Sequence, residues 1–439
     1  MIRLRVTFLG AAGEVGRSCI LVKGEDANIL LDAGIKLGSV EEYPTLDEAL
    51  LKEIDAVVVT HAHLDHSGYL PHIYSKGFKG PVYATKPTFE LINVLVSDYL
   101  KISNPSGVKK GIVQQMQHHY NIVEYHKEFG IKGLKVKMVP AGHILGSAMI
   151  EVHDGRNRLL YTGDVNFRTT KLLDPAYTER LAADTLITES TYGGDADIFP
   201  SERSVLNKMA MSIKETLRSG GSILIPSFGV GRAQEVMLVL DDYMRSGGLP
   251  TVPIYTDGMV NKALRIHRHN VIYCRDELQK RILLNDDDPF KSRNFVPVDT
   301  VQLRRQVMRG NPPGIIVTTS GMLTGGPILR YMAHMAQNER NKLILVGYQA
   351  EGTRGRALLE GARSLSIGER NVDIKLAVEK YSLSAHADRP QLLHFISRIK
   401  GLRNIMIVHG EPEKSRQLML SLGRRYNTTV PLNLESLSI

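Results

Sequence analysis

The chain predicts an α/β protein with a second domain set inside the first, and three observations carry that prediction. Short β-branched runs alternate with helical stretches, the pattern of strand–helix repeats. Run after run ends in a histidine or an acid, placing polar side chains at strand C-termini, the rim where open α/β folds keep ligands. The middle of the chain then changes character, and ligand-type residues lie on both sides of it.

Taken in order, the strand-like runs are NILLDAG (28–34), carrying Asp32, and AVVVTHAHLDH (56–66), carrying a histidine cluster. LKVKMVPAGHILG (134–146) carries His143, RLLYTGDV (158–165) Asp164, TLITES (185–190) Glu189, and NIMIVHG (404–410) His409. Helical segments are expected near 45–53, 87–101, 110–118, 202–218 and 388–399. From about 194 to 375 come GSILIPSFGVGRAQE, GIIVTTSGMLTGGP and KLILVGYQAEGTRGR, each an apolar strand followed by a Gly-rich loop with Ser, Thr or Arg. The expected division is 1–193, an insertion at 194–375, and a return at 376–439.

Composition sets outer bounds. A chain of 439 residues exceeds one ordinary core. The net charge of +9 and a pI near 9.3 favour a polyanionic partner. Cys19 and Cys274 are too few for a disulfide framework, which points to a reducing compartment. Met1 leads directly into IRLRVTFLG without an apolar leader, and no apolar run nears the roughly 18 residues of a membrane span. A soluble, cytoplasmic protein is expected.

HAHLDH carries the chemistry. His61 and His63 alternate off an extended segment and can converge on one ion, while Asp65 and His66 follow a turn and can reach a second. Imidazole with carboxylate suits Zn²⁺, and a carboxylate can bridge two ions. Isolated histidines such as His72 and His267 are read as ordinary core or surface residues.

With Asp32 in LLDAG, then HAHLDH, His143 in AGHILGS and Asp164 in TGD, the sequence resembles the metallo-β-lactamase superfamily. The resemblance implies an αββα sandwich and two Zn²⁺ per chain. His61, His63 and His143 would hold one ion, Asp65 and His66 the other, and Asp164 would bridge. Asp32 would orient the ligand imidazoles by hydrogen bonds.

Three further segments narrow the resemblance. Glu189 in ITESTYGG, His386 in SLSAHAD and His409 in IVHG resemble the A, B and C motifs of the β-CASP nucleases, a branch with a second domain inserted into the lactamase fold. ESTYGG, SFGVGRAQE, TTSGMLTGGP and SAHAD look most like the cleavage and polyadenylation specificity factor nucleases, in the branch without KH domains or among bacterial homologues. A histidine at the third motif is typical of RNA-processing members, and His409 would complete the second ion's coordination. Self-association as a homodimer is also implied. The tail NTTVPLNLESLSI (427–439) suits pairing with a partner, or equally an edge strand of its own sheet.

The expected activity is hydrolysis of single-stranded RNA in a cleft between the domains, during 3′-end processing or decay. Paired ions would activate a water for in-line attack on phosphorus. The leaving ribose oxygen needs a proton, and His386, held protonated by Glu189, is the candidate acid. RNA contacts are expected from Gly229, Gly231 and Arg232, where a strand meets a helix N-terminus. Ser320, Gly321, Met322 and Thr324 form a second candidate set, and Arg354 with Arg356 a third. Three alternatives stand beside this reading: ribonuclease J-like 5′-exonuclease action, a thioester or lactam hydrolase of the same superfamily, and a non-catalytic RNA-binding subunit. Endonuclease and exonuclease action are not distinguished by the residues.

Overall fold

The computed structural model describes residues 4–38, 40–310 and 312–439, which form two compact units. The first comprises the chain through Thr169, then Asp174–Ile198 and Ala385–Ile439; the second comprises Thr170–Leu173 and Phe199–Ser384.

Two sheets build the first unit. One runs in the order Ser436–Ser438, Arg5–Phe8, Ile20–Lys23, Asn28–Leu31, Ala56–Val58, Val82–Ala84, Tyr120–Ile122. The other runs Asn427–Thr429, Asn404–Val408, Thr185–Glu189, Arg158–Tyr161, Ala148–His153, Leu134–Pro140, Glu128–Ile131. Alternation along each strand turns one face inward: Val6, Phe8, Ile29, Leu31 and Val58 meet Val136, Met138, Ile150, Tyr161 and Met406 in one fully enclosed core. The outward face of the second sheet is covered by Arg389–Arg398 and Pro412–Leu422 through Leu392, Phe395 and Leu418.

Local signals explain the helices that frame this sandwich. Lys86–Ser103 starts at Thr85, whose side chain accepts from Thr88 N, has Pro87 in its first turn, and stops at left-handed Asn104. Arg389–Arg398 begins with a capping box between Asp388 and Gln391. In both cases the sequence-level boundary falls within three residues of the helix.

The second unit holds a parallel sheet ordered Phe295–Pro297, Ile254–Asp257, Ile315–Thr318, Ile223–Pro226, Lys342–Leu345, Ala377–Lys380. Its last strand lies beyond position 375, where the sequence suggested a return to the first domain. AVEK carries no strong strand signal of its own and is fixed by register, Lys342 pairing with Ala377 and Leu345 with Lys380.

The C-terminal tail adds edge strands inside its own chain. Asn427–Thr429 pairs parallel with Asn404–Val408, and Ser436–Ser438 pairs antiparallel with Arg5–Phe8. No helix among the described residues is long and apolar enough to cross a membrane.

Cys19 and Cys274 are both buried. Burial, with Asp32 nearby, pushes the Cys19 thiol far up, and burial pushes Cys274 up to about 12. The thiolate is the reactive form, so both are inert in the folded chain. Treatment of native protein with a thiol reagent at pH 8 is expected to label neither cysteine, and denatured protein to label both; rapid native labelling would contradict this burial.

Candidate metal centre

Most of the ligand-type residues singled out in the first unit sit just past a strand or at its last position, while Asp65 and His66 lie on a short helix. His61 and His63 follow Ala56–Val58, and the chain then turns into the short helix Leu64–Ser67, which presents Asp65 and His66. That helix replaces the plain turn expected there. Gly34 makes it possible, because a Cβ at that position would lie 1.7 Å from Asp65 O. His143 follows Leu134–Pro140, Asp164 follows Arg158–Tyr161, Glu189 closes Thr185–Glu189, and His409 directly follows Asn404–Val408. Parallel pairing of those last two strands places Glu189 opposite Val408, next to His409.

Three groups of potential donors result among the described residues, and all share Asp164. His61, His63, His143 and Asp164 form one; Asp65, His66, Asp164 and His409 form another. The third is Asp164 with Glu189 and His386, and the other two are richer in imidazole. Asp164 Oδ2 lies 3.5 Å from His61 Nε2 and 3.6 Å from His143 Nε2. Its Oδ1 lies 3.2 Å from His66 Nε2 and 3.4 Å from His409 Nδ1, and His409 Nε2 is 3.3 Å from Asp65 Oδ2.

Burial decides the charge states. It pushes His61 and His143 well below the ordinary histidine range and lowers His63, leaving neutral rings with lone pairs to offer. Burial also opposes charge on His66 and His409, yet Asp164, joined by Asp32 or Asp65, outweighs it and raises both. Asp164 and Asp65 are driven up by burial but held low by these imidazoles. His61 Nε2 and Asp164 Oδ1 are buried with no hydrogen-bond partner among the described residues. Buried polar groups left in that state are costly unless something coordinates them, so this donor set fits a divalent cation.

Asp32 stands behind the ligands rather than among them. Its Oδ1 accepts from Thr60 N at 2.7 Å, and its Oδ2 from Tyr161 OH at 2.9 Å and His66 Nδ1 at 2.7 Å. Donation from Nδ1 aims His66 Nε2 at Asp164. His386, preceding the helix Arg389–Arg398, places Nδ1 2.9 Å from Glu189 Oε2, and Glu189 Oε1 accepts from Val165 N at 2.7 Å. Burial works against charge on His386, but Glu189 and Asp164 overcome it and raise its pKa to about 9. The ring is therefore protonated at neutral pH.

One part of the site escaped the sequence reading. The loop 11–18 accepts His409 N on Ala11 O at 2.8 Å and Gly410 N on Glu14 O at 3.1 Å, and gives Ser18 N to Asp65 O at 2.8 Å. Its glycines, Gly13 and Gly16 at positive φ, were the available signal.

The residues expected to touch RNA gather at the C-terminal edge of the second unit's sheet, but most of their donors are already used. Gly231 N donates to Gln234 Oε1 at 2.8 Å and Arg232 N to Val230 O at 3.1 Å, so these N–H groups are not free for phosphate. Arg232 is buried beside Glu235. Gly229 packs against Met259 and Thr319, and Gly321 against Ser227 and Phe228. Ser320 Oγ accepts from Thr324 N at 3.0 Å and Gly325 N at 3.1 Å, closing its own loop. Arg354 donates to Ser366 O and Leu323 O, and Arg356 pairs with Glu360 at 2.6 Å. Arg354 and Arg356, the expected clamp, thus both have local partners, and the Arg356 side chain remains 49% exposed. Met322 and Thr324 retain exposed or half-exposed side chains.

Family models match residues 12–214 as the metallo-beta-lactamase superfamily, 233–358 as the Beta-Casp domain, and 371–430 as the Zn-dependent metallo-hydrolase RNA specificity domain. With a lactamase sandwich, an inserted parallel-sheet unit and the shared-carboxylate site, the chain belongs to the β-CASP family of metallo-β-lactamase-fold hydrolases. Its relatives include the transcription termination factor FttA of Methanocaldococcus jannaschii, 40% identical over 99% of this chain and 72% of that protein. FttA of Methanococcus maripaludis is 38% identical over the same shares, and FttA of a Lokiarchaeum 36% over 99% and 71%. A crystal structure of a protein of unknown function from Enterococcus faecalis shares the fold over 100% of both chains, with TM-score 0.61 and 13% identity.

Proposed function

We propose that the chain is a zinc-dependent ribonuclease that hydrolyses phosphodiester bonds of single-stranded RNA. The observation that carries this reading is the pair of buried donor sets meeting at Asp164, with the His386–Glu189 pair beside them. His61, His63 and His143 would hold one ion, Asp65, His66 and His409 the other, and Asp164 would serve both. Nitrogen and carboxylate donors without thiolate suit Zn²⁺. Bound there, paired cations supply Lewis acidity, lowering the pKa of a water towards about 7 and neutralising phosphoryl charge.

The chain's own groups do the rest. His386 enters protonated and gives its proton to the departing ribose oxygen, while Glu189 fixes the ring and keeps it charged. Asp32 holds His66 in the tautomer that presents Nε2. RNA as substrate is supported by the net charge of +9, by the RNA specificity model over 371–430, which contains His386 and His409, and by relatives named as transcription termination factors. With Gly231, Arg232, Arg354 and Arg356 engaged internally, contact from the second unit falls to Met322, Thr324 and their neighbouring backbone.

Digestion of an end-labelled RNA, with and without a blocked 5′ end, tests the activity and its polarity. Internal cuts independent of the 5′ end mean an endonuclease; stepwise loss that stops at the block means 5′-exonuclease action. RNA left intact by metal-replete protein that turns over a thioester would reject the proposal.

Asp32→Ala offers a narrower check. It removes the acceptor from His66 Nδ1 and leaves Tyr161 OH and Thr60 N–H unpaired in the core. Loss of such an orienting partner typically weakens metal affinity about 10- to 100-fold. Calorimetric titration of metal into the stripped variant is expected to show that loss, and unchanged affinity would refute the orienting role.

A further inference from the structure

The two donor sets share Thr60 and Asp32 as supports, and beyond these each is braced by a different part of the chain. In the first, His143 Nδ1 donates to Ala385 O at 2.8 Å and His61 Nδ1 faces Thr60 Oγ1 at 3.0 Å. The second leans on loop 11–18, which holds His409 through Ala11 O, Gly410 through Glu14 O and Asp65 through Ser18 N. His409 needs such bracing: its φ is +47°, and Gly410 after it sits so close to Ser190 that a Cβ would lie 2.2 Å from Ser190 Oγ.

Glu14 is the centre of that loop. Its carboxylate, 13% exposed, accepts from Arg17 Nε at 2.6 Å, Lys36 Nζ at 2.8 Å and Asn433 Nδ2 at 3.1 Å. Arg17 belongs to the loop, Lys36 lies just beyond Gly34, and Asn433 comes from the C-terminal tail. The tail is itself anchored, with Leu434 N donating to Phe8 O at 2.6 Å and Phe8 N to Glu435 O at 3.1 Å. A path of hydrogen bonds and backbone therefore runs from the tail through Asn433, Glu14 and Gly410 to His409, and among the described residues it does not pass through His61, His63 or His143.

We propose that Glu14 is a positioning residue for the Asp65–His66–His409 set, and that the C-terminal tail, through Asn433, sets how tightly that set holds its ion. The inference rests on the two-ion reading above and adds to it a control point distant in sequence from every ligand but His409. An ordered tail keeps the second set closed; a displaced tail leaves the first set intact and loosens only the second.

Cobalt(II) titrated into the metal-stripped 439-residue chain, followed by its visible absorption, separates the first and second equivalents. Asn433→Ala is expected to raise the second dissociation constant about tenfold, within the usual range for an orienting partner, and to leave the first within about twofold. Asn433→Asp, which sets a like charge against Glu14, should do more. The melting temperature of the stripped variants establishes that they are folded, and a merely structural role would weaken both equivalents together. Equal weakening of both, or of neither, overturns the proposal while leaving the two-ion reading in place. A wild-type chain that takes only one equivalent overturns that reading and the inference with it.

Discussion

Asp164→Ala is expected to lose metal from both sets and to lower RNA cleavage by about 10³-fold or more. The shared carboxylate faces His61 and His143 with one oxygen and His66 and His409 with the other, all within 3.6 Å. Lewis-acid stabilisation of a phosphoryl transition state is worth several kcal/mol, and each 1.4 kcal/mol or so is tenfold in rate. Removal also withdraws from His66 and His409 the carboxylate that does most to raise them, so burial presses both rings toward the neutral form and their ordered charge pairing is lost. Elemental analysis of the purified variant, beside Asp164→Asn to preserve volume, measures the loss. Full occupancy of both sets in Asp164→Ala would show that the carboxylate is not shared.

His386→Ala separates chemistry from metal binding. It is expected to keep both ions and lose about 10² to 10⁴ in turnover, the usual contribution of a positioned acid. The acid works only while protonated. With the His386 pKa raised to about 9, the wild-type rate should hold through neutral pH and decline as pH passes about 9. Glu189→Gln withdraws the main charge that raises it, so the decline should move to lower pH. A profile in Glu189→Gln identical to wild type would remove His386 from the proton-transfer role. Loss of metal from His386→Ala would instead make it a ligand.

Much of the first donor set was legible because it is local. Histidines and an aspartate packed behind an apolar strand have few bland explanations, and their spacing alone put His61 and His63 in one donor set. Family resemblance then supplied His143, Asp164, Glu189, His386 and His409. The phosphate-loop reading fared differently. SFGVGR has the composition of an anion-binding turn, but glycine content says nothing about who takes the N–H groups, and Gln234 and Val230 took them. For the arginines of EGTRGR the local partners were equally hidden, since a carbonyl or a glutamate four residues on is invisible as a partner until the loop is folded.

The sequence by itself determined the chemistry on offer: which strands end in donors, which donors suit a divalent cation, and that a foreign stretch interrupts them. Periodicity and residue type act over a few positions, and those claims are of that range. Only the tertiary structure decided that His409 meets Asp65 across 344 positions, that one carboxylate serves both sets, and that Glu14 and the tail brace one set but not the other. Those outcomes follow from strand register and from the competition of every buried polar group for a partner, which is settled by the whole chain at once.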